Sequence, residues 1–393
     1  MRICIICDDV FPALGGRGGT TERLGLKLAK KGHKVVFISA DNKNKIKVKQ
    51  PNVKVCRLPS FSVPKTNKKL RLGFPSIFRM AKIFEKEKIE VVQINAPYML
   101  AISAIIVARS KNIPILHHIH TAPEHMTANT PWRDSKIIRT IVAKYLVFLY
   151  NLTDHAVFLT NFTRDRIKKY GLKKPSSIIS NGIDLTKFNP KIDKYLFRKK
   201  FKLKNEKMIL YVGRLMKEKN VDMLIDAFEL LVKERPECKL AIVGDGWLKG
   251  KLEKKVADKK LNKKVIFTGN LPENMTASAY VNAYMFVLVS TLDLEPLVIL
   301  EAQACGCPVI SSKTEAFSAE EMIGNNKGGF LVNPLDKRDV MEKMLTLVKN
   351  EKLHDKMKKE SIKISKEKEI SKSILKFEKL YKQLIKNKKQ NVN

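Results

Sequence analysis

The sequence predicts an α/β chain built of two Rossmann-like βαβ domains, and three observations carry that prediction. An apolar run at residues 3–7 is followed by a glycine-rich stretch, a helical repeat and a second apolar run at residues 35–38. The same order starts afresh at residues 208–212, with Gly213 at the strand end and a helical pattern from Val221. A length of 393 residues also exceeds what one hydrophobic core usually organises. The strand-like runs are apolar throughout rather than alternating, which suits parallel strands covered on both faces.

Bulk properties narrow the class. Composition is globular, with 44% apolar residues, and the longest largely apolar run, residues 98–108, is about half what a bilayer span needs. Residues 1–7 open a strand directly, so no signal peptide and a cytoplasmic location are expected. Cys4, Cys7, Cys56, Cys238, Cys305 and Cys307 are scattered through apparent strands and turns. Cys4 and Cys7 lie within one apolar strand and have no second metal-type pair, so reduced buried thiols are expected.

Charge is uneven. Of a net +37, residues 1–200 hold 39 Lys and Arg against 13 Asp and Glu, and the remainder 37 against 26. An excess concentrated in one half points to an anionic surface, either membrane headgroups or nucleic acid. Nucleic acid is disfavoured, because aromatics are not interleaved with the basic runs as stacking platforms and no reader motif occurs.

In the first half, residues 8–20 read as a loop whose Gly15, Gly16, Gly18 and Gly19 let backbone approach a bound group. The spacing is not that of the dinucleotide fingerprint. A helix with Leu24, Leu26, Leu28 and Ala29 follows, ending at Gly32-His33. Residues 41–75 are lysine-rich and broken by prolines, as strand and loop at a domain edge. Residues 75–88 are helical: Ile77, Met80, Ala81 and Phe84 form one stripe, Arg79, Lys82 and Lys86 another. With Lys65, Lys68, Lys69 and Arg71 before it, this helix is the expected membrane-facing surface, against the alternative of a core stripe with a solvated basic face.

A strand at 90–95, a buried helix at 99–108 and a strand at 113–120 come next. His118 and His120 share a strand face and His125 follows, but no fourth ligand is evident, so no metal site is expected. After Pro131-Trp132, Ile138, Ile141, Val142, Tyr145, Leu146 and Leu149 follow helical spacing. They are expected to pack on the sheet, with the Trp132 end toward lipid.

In the second half, Gly213-Arg214 closes a strand and Lys219 stands five residues on. Two fixed cations there suit a leaving group that gains negative charge: arginine grips oxygens bidentately and lysine acts as a point charge. At residues 290–308 a strand end runs through an acidic loop, Asp293-Leu294-Glu295, into a helix opening at Pro296. The amides of Leu297, Val298 and Ile299 then offer a phosphate site at the positive helix end. Glu301, four residues after Leu297, can accept from sugar hydroxyls.

These residues resemble a family signature. Ser290 with Glu301-Ala302-Gln303-Ala304-Cys305-Gly306-Cys307-Pro308-Val309 is similar to the nucleotide-binding segment of retaining glycosyltransferases of GT-B architecture, the group 1 type. Asp293 stands where that pattern carries a glutamate. The resemblance implies two Rossmann-like domains facing each other across a cleft. They would be an acceptor-binding domain at 1–187, a linker at 188–205, a nucleotide-sugar domain at 206–370, and a lysine-rich helix at 371–393 returning to the first domain. It implies that Arg214 and Lys219 bind the diphosphate, with Gly15, Gly16, Gly213, Leu297 and Val298 beside it. Glu301 would hold the ribose, Asp293 the donor-sugar hydroxyls, and His120 the transferred sugar. Gly244, Gly246 and Gly269 would flank the nucleotide. It also implies retention of configuration without metal or other cofactor.

Among members, Pro12, Gly15-Gly16, His120-Thr121, Pro131-Trp132 and Asn181-Gly182-Ile183-Asp184 look most like diacylglycerol glucosyltransferases that use UDP-glucose. A mannosyltransferase or a polysaccharide-assembly enzyme is the near alternative, and an epimerase of the same fold lacks specific support. The expected partners are a nucleotide sugar, a lipid acceptor and an anionic membrane, held peripherally at its inner face, and not nucleic acid.

Overall fold

The computed structural model describes residues 1–13, 16–41, 48–63, 71–128, 130–132 and 134–390. Gly15, Lys65, Lys68 and Lys69 lie outside these. The chain divides into two compact units, Met1–Asn181 with Ser373–Asn393, and Gly182–Lys372. The division falls at Asn181 rather than at 187.

The first unit runs β1 (Arg2–Ile6), α1 (Gly16–Lys30), β2 (Lys34–Ala40), β3 (Val53–Leu58), β4 (Ser60–Ser62), β5 (Arg71–Gly73), α2 (Ile77–Lys86), β6 (Val91–Ile94), α3 (Met99–Ser110), β7 (Ile115–His118), α4 (Pro123–Thr127), α5 (Lys136–Asn151), β8 (His155–Phe158), α6 (Asn161–Lys168) and β9 (Ser176–Ile178). Seven of these strands form one sheet in the order β3-β2-β1-β6-β7-β8-β9, every pair parallel. Strand order reverses between β1 and β6, which leaves a crevice at the carboxyl ends of these strands, the usual ligand position in doubly wound sheets. Ile3, Cys4, Ile5 and Ile6 are all fully buried, as the unbroken apolar run of β1 requires.

The second unit runs α7 (Tyr195–Lys200), β10 (Lys207–Val212), α8 (Val221–Glu234), β11 (Cys238–Val243), α9 (Lys249–Asp258), β12 (Val265–Gly269), α10 (Glu273–Asn282), β13 (Met285–Leu288), α11 (Leu297–Ala304), β14 (Val309–Ser312), β15 (Gly329–Val332), α12 (Lys337–Lys349) and α13 (Glu351–Glu367). Its six strands, ordered β12-β11-β10-β13-β14-β15, are again all parallel, with the reversal between β10 and β13. Residues 188–205 are part of this unit: Phe197 of α7 is fully buried and its amide donates to Ser278 Oγ at 3.0 Å.

The last helix, α14 (Ile370–Gln390), places most of its length in the first unit. Its Glu378 meets His33 Nε2 at 2.7 Å, and its Lys388 meets Asp154 at 3.0 Å.

Four expectations need correction. Helix α1 begins at Gly16, so Arg17, Gly18 and Gly19 form its first turn and not a loop. A Cβ on Gly18 would lie 2.2 Å from the Asp9 carbonyl oxygen; glycine lets this turn press against the segment that follows β1. In α2 the buried residues are Met80 and Phe84, while Ile77 is exposed and Phe78 is 86% exposed. Helix α3 is not wholly buried, because Met99, Ile102 and Ile106 are exposed. In α5 the sheet-facing side is Ala143, Leu146, Val147, Leu149 and Tyr150, and Ile141 and Tyr145 face outward instead. Helical spacing finds a stripe but does not say which of two apolar stripes a neighbouring helix covers.

Candidate functional site

In the second unit, the residues singled out by sequence gather where strands β10 to β13 end. Gly213 N–H donates to Val243 O at 3.0 Å, Gly244 N–H to Gly269 O at 2.9 Å and Leu215 N–H to Asp245 O at 2.9 Å. These bonds tie three strand ends together. Gly244 has φ +129° and a Cβ there would sit 2.0 Å from Gly213 O; one on Gly246 would sit 2.3 Å from Leu215 O. Only glycine permits such backbone crossings. Beside them lies a cavity of about 230 Å³ lined by Val212, Gly213, Arg214, Val243, Gly244, Asn270, Leu271 and Thr276.

Arg214 and Lys219 leave one turn. Tyr211 Oη donates to Arg214 O at 2.9 Å, and Lys219 N–H donates to Met216 O at 3.0 Å. The Arg214 side chain is 63% exposed, with Glu218 at 3.7 Å. Lys219 is different: its Nζ lies 2.6 Å from Asp293 Oδ2, both side chains largely enclosed. The turn is fastened to the acidic loop, because Thr291 N–H donates to Glu218 O at 2.9 Å. A cation expected to face phosphate and an acid expected to face sugar are thus partners of each other.

Helix α11 begins at Leu297, with Pro296 as its extended N-cap rather than its first helical residue. Ile299 N–H donates to Pro296 O at 3.0 Å, so the amides at the helix mouth are those of Leu297 and Val298, which have no partner within the helix. One turn further, Glu301 Oε2 accepts from Tyr280 Oη at 3.0 Å. Tyr280 is fully buried, so α10 fixes the carboxylate's direction. Glu295 is buried. Nothing in the sequence pointed to Tyr280, Glu218 or Thr276, because each acts through the fold and not through a motif.

In the first unit, Gly16 is the first residue of α1 and is exposed. Arg17 behind it meets Asp9 Oδ1 at 3.0 Å and Tyr98 Oη at 3.4 Å. Asp8 accepts from Gly73 N–H at 2.9 Å, and burial pushes its carboxyl up to about 6. His120 follows β7; its Nε2 lies 3.1 Å from His118 Nδ1. Desolvation first, then His118, hold His120 well below the ordinary imidazole range, so it is neutral at physiological pH. His125 caps α4, where its Nδ1 accepts from Ala122 N–H at 3.3 Å. Among the described residues no group of three or more His, Cys, Asp or Glu could hold a metal ion.

Of the expected membrane-facing residues, Arg79, Lys82 and Lys86 are exposed and Trp132 is 60% exposed. Arg71 does not join them. Its guanidinium donates to Asp41 O and Ser60 O at 2.7 Å and to Ser60 and Ser62 Oγ at 2.9 Å, so it fastens the β4–β5 pair. No helix among the described residues is long and apolar enough to cross a membrane.

Two doubly wound parallel sheets, one carrying cations and a helix mouth at its carboxyl edge, define the GT-B class of sugar-transferring folds. The family model "Glycosyl transferases group 1" matches residues 193–364 and "Glycosyltransferase Family 4" matches residues 14–187. Together these two matches span most of the chain, which is a glycosyltransferase. It is 29% identical over 323 residues to the alpha-monoglucosyldiacylglycerol synthase of Streptococcus pneumoniae, covering 79% of this chain and 71% of that one. Over 343 residues it is 24% identical to a GDP-mannose-dependent alpha-mannosyltransferase of Mycobacterium tuberculosis, covering 84% of each. Sucrose-phosphate synthase from Thermosynechococcus elongatus shares the fold, with a TM-score of 0.81 at 20% identity, covering 98% of this chain and 100% of that one.

Proposed function

We propose that this glycosyltransferase moves glucose from UDP-glucose, with retention of configuration, onto a lipid of the diacylglycerol type at an anionic membrane surface. The observation that carries the donor half is the cluster around the mouth of α11, where the Lys219–Asp293 pair and the amides of Leu297 and Val298 sit on one loop system with Arg214. In this reading the diphosphate lies across those amides, and Arg214 and Lys219 stabilise the charge it gains as the glycosidic bond breaks. Asp293 keeps Lys219 aimed through Oδ2 and accepts from a sugar hydroxyl through its other oxygen. Glu301, oriented by Tyr280, holds the ribose. The base enters the cavity between Gly213 and Thr276. His120 serves the transferred sugar.

Two cations and a helix mouth supply the charge that a divalent ion would otherwise bring, so the reaction proceeds without metal. The acceptor hydroxyl attacks from the face the diphosphate leaves, and its proton passes to the departing phosphate oxygen. The bond to the β-phosphate breaks as the bond to the lipid oxygen forms, with no enzyme nucleophile in between.

The lipid half is supported by the exposed apolar residues of α2, α3 and α5. Phe78, Ile106, Ile137, Ile141 and Phe148 stand outward, and Arg79, Lys82, Lys136 and Lys144 are exposed on the same helices. Apolar side chains set among cations suit the headgroup boundary of an anionic leaflet, here the inner face of the cell membrane. The test is a screen of radiolabelled UDP- and GDP-sugars with mixed lipid vesicles, with and without anionic lipid. Lipid-linked glucose formed from UDP-glucose supports the reading. Product from GDP-mannose alone moves the donor to the mannosyltransferase alternative, and product made equally well on soluble sugars removes the membrane.

A further inference from the structure

Behind His120 lies a buried hydrogen-bond network whose direction can be worked out atom by atom. Thr21 Oγ1 donates its one hydrogen to Arg17 O at 2.8 Å, the back-bond a helical threonine commonly makes. It can therefore only accept from Asn95 Nδ2, 2.7 Å away. That turns Asn95 so that Oδ1 faces Gln93, which must donate through Nε2 at 2.7 Å. Gln93 Oε1 is left facing the Tyr381 hydroxyl of α14, which donates to it. The second hydrogen on Gln93 Nε2 points at His118 Nδ1, 3.5 Å away. A nitrogen faced by an amide donor carries a lone pair, so His118 holds its hydrogen on Nε2, a buried atom with no hydrogen-bond partner. The one lone pair of His118 Nδ1 also faces His120 Nε2, the nearer of its two neighbours at 3.1 Å, which donates to it as Nε2–H.

We infer that this network fixes His120 as the Nε2–H tautomer, with the Nδ1 lone pair left as the acceptor it presents to substrate, and that Tyr381, Gln93, Asn95 and His118 are its positioning residues. Thr21, Gln93, Asn95, His118 and Tyr381 are all buried to 2% exposure or less, so no solvent is at hand to scramble the order. Burial holds His118 down to about 3, and His120 is also held low, so neither ring gains a second proton that would make every nitrogen a donor. Helix α14 holds the network at two points: Tyr381 at Gln93, and Phe377, which packs edge-on to His118 with centroids 5.0 Å apart. The catalytic meaning rests on the reading of His120 given above. An imidazole acceptor at Nδ1 takes a hydrogen bond from a hydroxyl of the transferred sugar, and cannot itself donate there.

The tautomer is read without substrate, from long-range proton–nitrogen correlation spectra of the full chain labelled with ¹⁵N-histidine. Its seven histidines make the spectrum tractable, and the His120→Gln variant assigns the signal. A pyridine-like Nδ1 and a pyrrole-like Nε2 for both His118 and His120 are expected. Gln93→Glu replaces the amide donor by an acceptor and is expected to move the His118 hydrogen to Nδ1. Tyr381→Phe, which keeps the ring packing, is expected to leave His120 as a mixture of tautomers. An Nδ1–H His120 in the wild-type protein overturns the inference, as do unchanged tautomers in the folded variants; should neither variant fold, the wild-type spectrum decides. A protein that shows the tautomer but transfers no sugar overturns the proposed function and leaves the network standing.

Discussion

Lys219 Nζ and Asp293 Oδ2 are 2.6 Å apart, each side chain largely shielded from solvent, and they stand on the segments that follow β10 and β13, the strands on either side of the reversal. The pair stores a cation at the point where the parallel sheet opens. Lys219→Ala removes that cation and leaves Asp293 enclosed without its partner. Turnover should fall by about 2–4 kcal/mol of barrier. The double variant with Asp293→Ala should lose clearly less than the two single losses added together, with a coupling of roughly 0.5–3 kcal/mol. Steady-state kinetics on the four proteins measure this; additive losses would mean the two residues act apart.

Arg214 is the exposed member of the cation pair, and its contact with Glu218 at 3.7 Å is of the kind worth about 0–1 kcal/mol to stability. Arg214→Ala should therefore melt close to wild type while losing turnover on the scale of about 2–4 kcal/mol. The wild-type rate should be the same in EDTA as in added magnesium. A rate abolished by EDTA and restored by the metal would assign the charge stabilisation to an ion.

How far the sequence could be read follows from how local each signal is. The βαβ units, the glycines at strand ends, and Arg214 with Lys219 announce themselves within short windows, because strand, turn and helix chemistry is set by neighbours in the chain. The outward turn of Ile141 and Tyr145 is not local, since it depends on which helix packs beside α5. The same holds for the Gln93–Tyr381 contact, which joins residues 288 apart in sequence. Arg71 illustrates the converse error: a basic residue in a basic stretch reads as surface, yet hydrogen bonds to Asp41, Ser60 and Ser62 occupy its guanidinium.

Asp8 gives a pH prediction. Its carboxyl is pushed up to about 6 from an ordinary value of 3.8 by burial, so the folded state holds the proton more tightly than the unfolded chain. Stability linked to this group is complete below about pH 4 and is lost as pH rises through 6. Asp8→Asn keeps an acceptor for Gly73 N–H and removes the charge. The variant should be more stable than wild type by on the order of 2 kcal/mol at pH 7, with the gap closing at pH 4. Urea denaturation at the two pH values checks it, and a gap that widens on acidification would contradict it.

For the membrane face, Phe78→Ser combined with Phe148→Ser should weaken partitioning to anionic vesicles at least tenfold, since burying a large apolar side chain is worth roughly 1.5–3 kcal/mol. UDP affinity should be unchanged. Vesicle sedimentation at low and high salt measures the first and calorimetric titration the second. Unaltered sedimentation would place the membrane contact elsewhere on the chain.

The central claim is that Lys219, Arg214 and the first amides of α11 hold a diphosphate, and a crystal structure with UDP bound tests it most directly. The account predicts phosphate oxygens within hydrogen-bond distance of Lys219 Nζ and of the Leu297 or Val298 amide, with the ribose at Glu301. A diphosphate seated away from the carboxyl ends of β10 and β13 would contradict it.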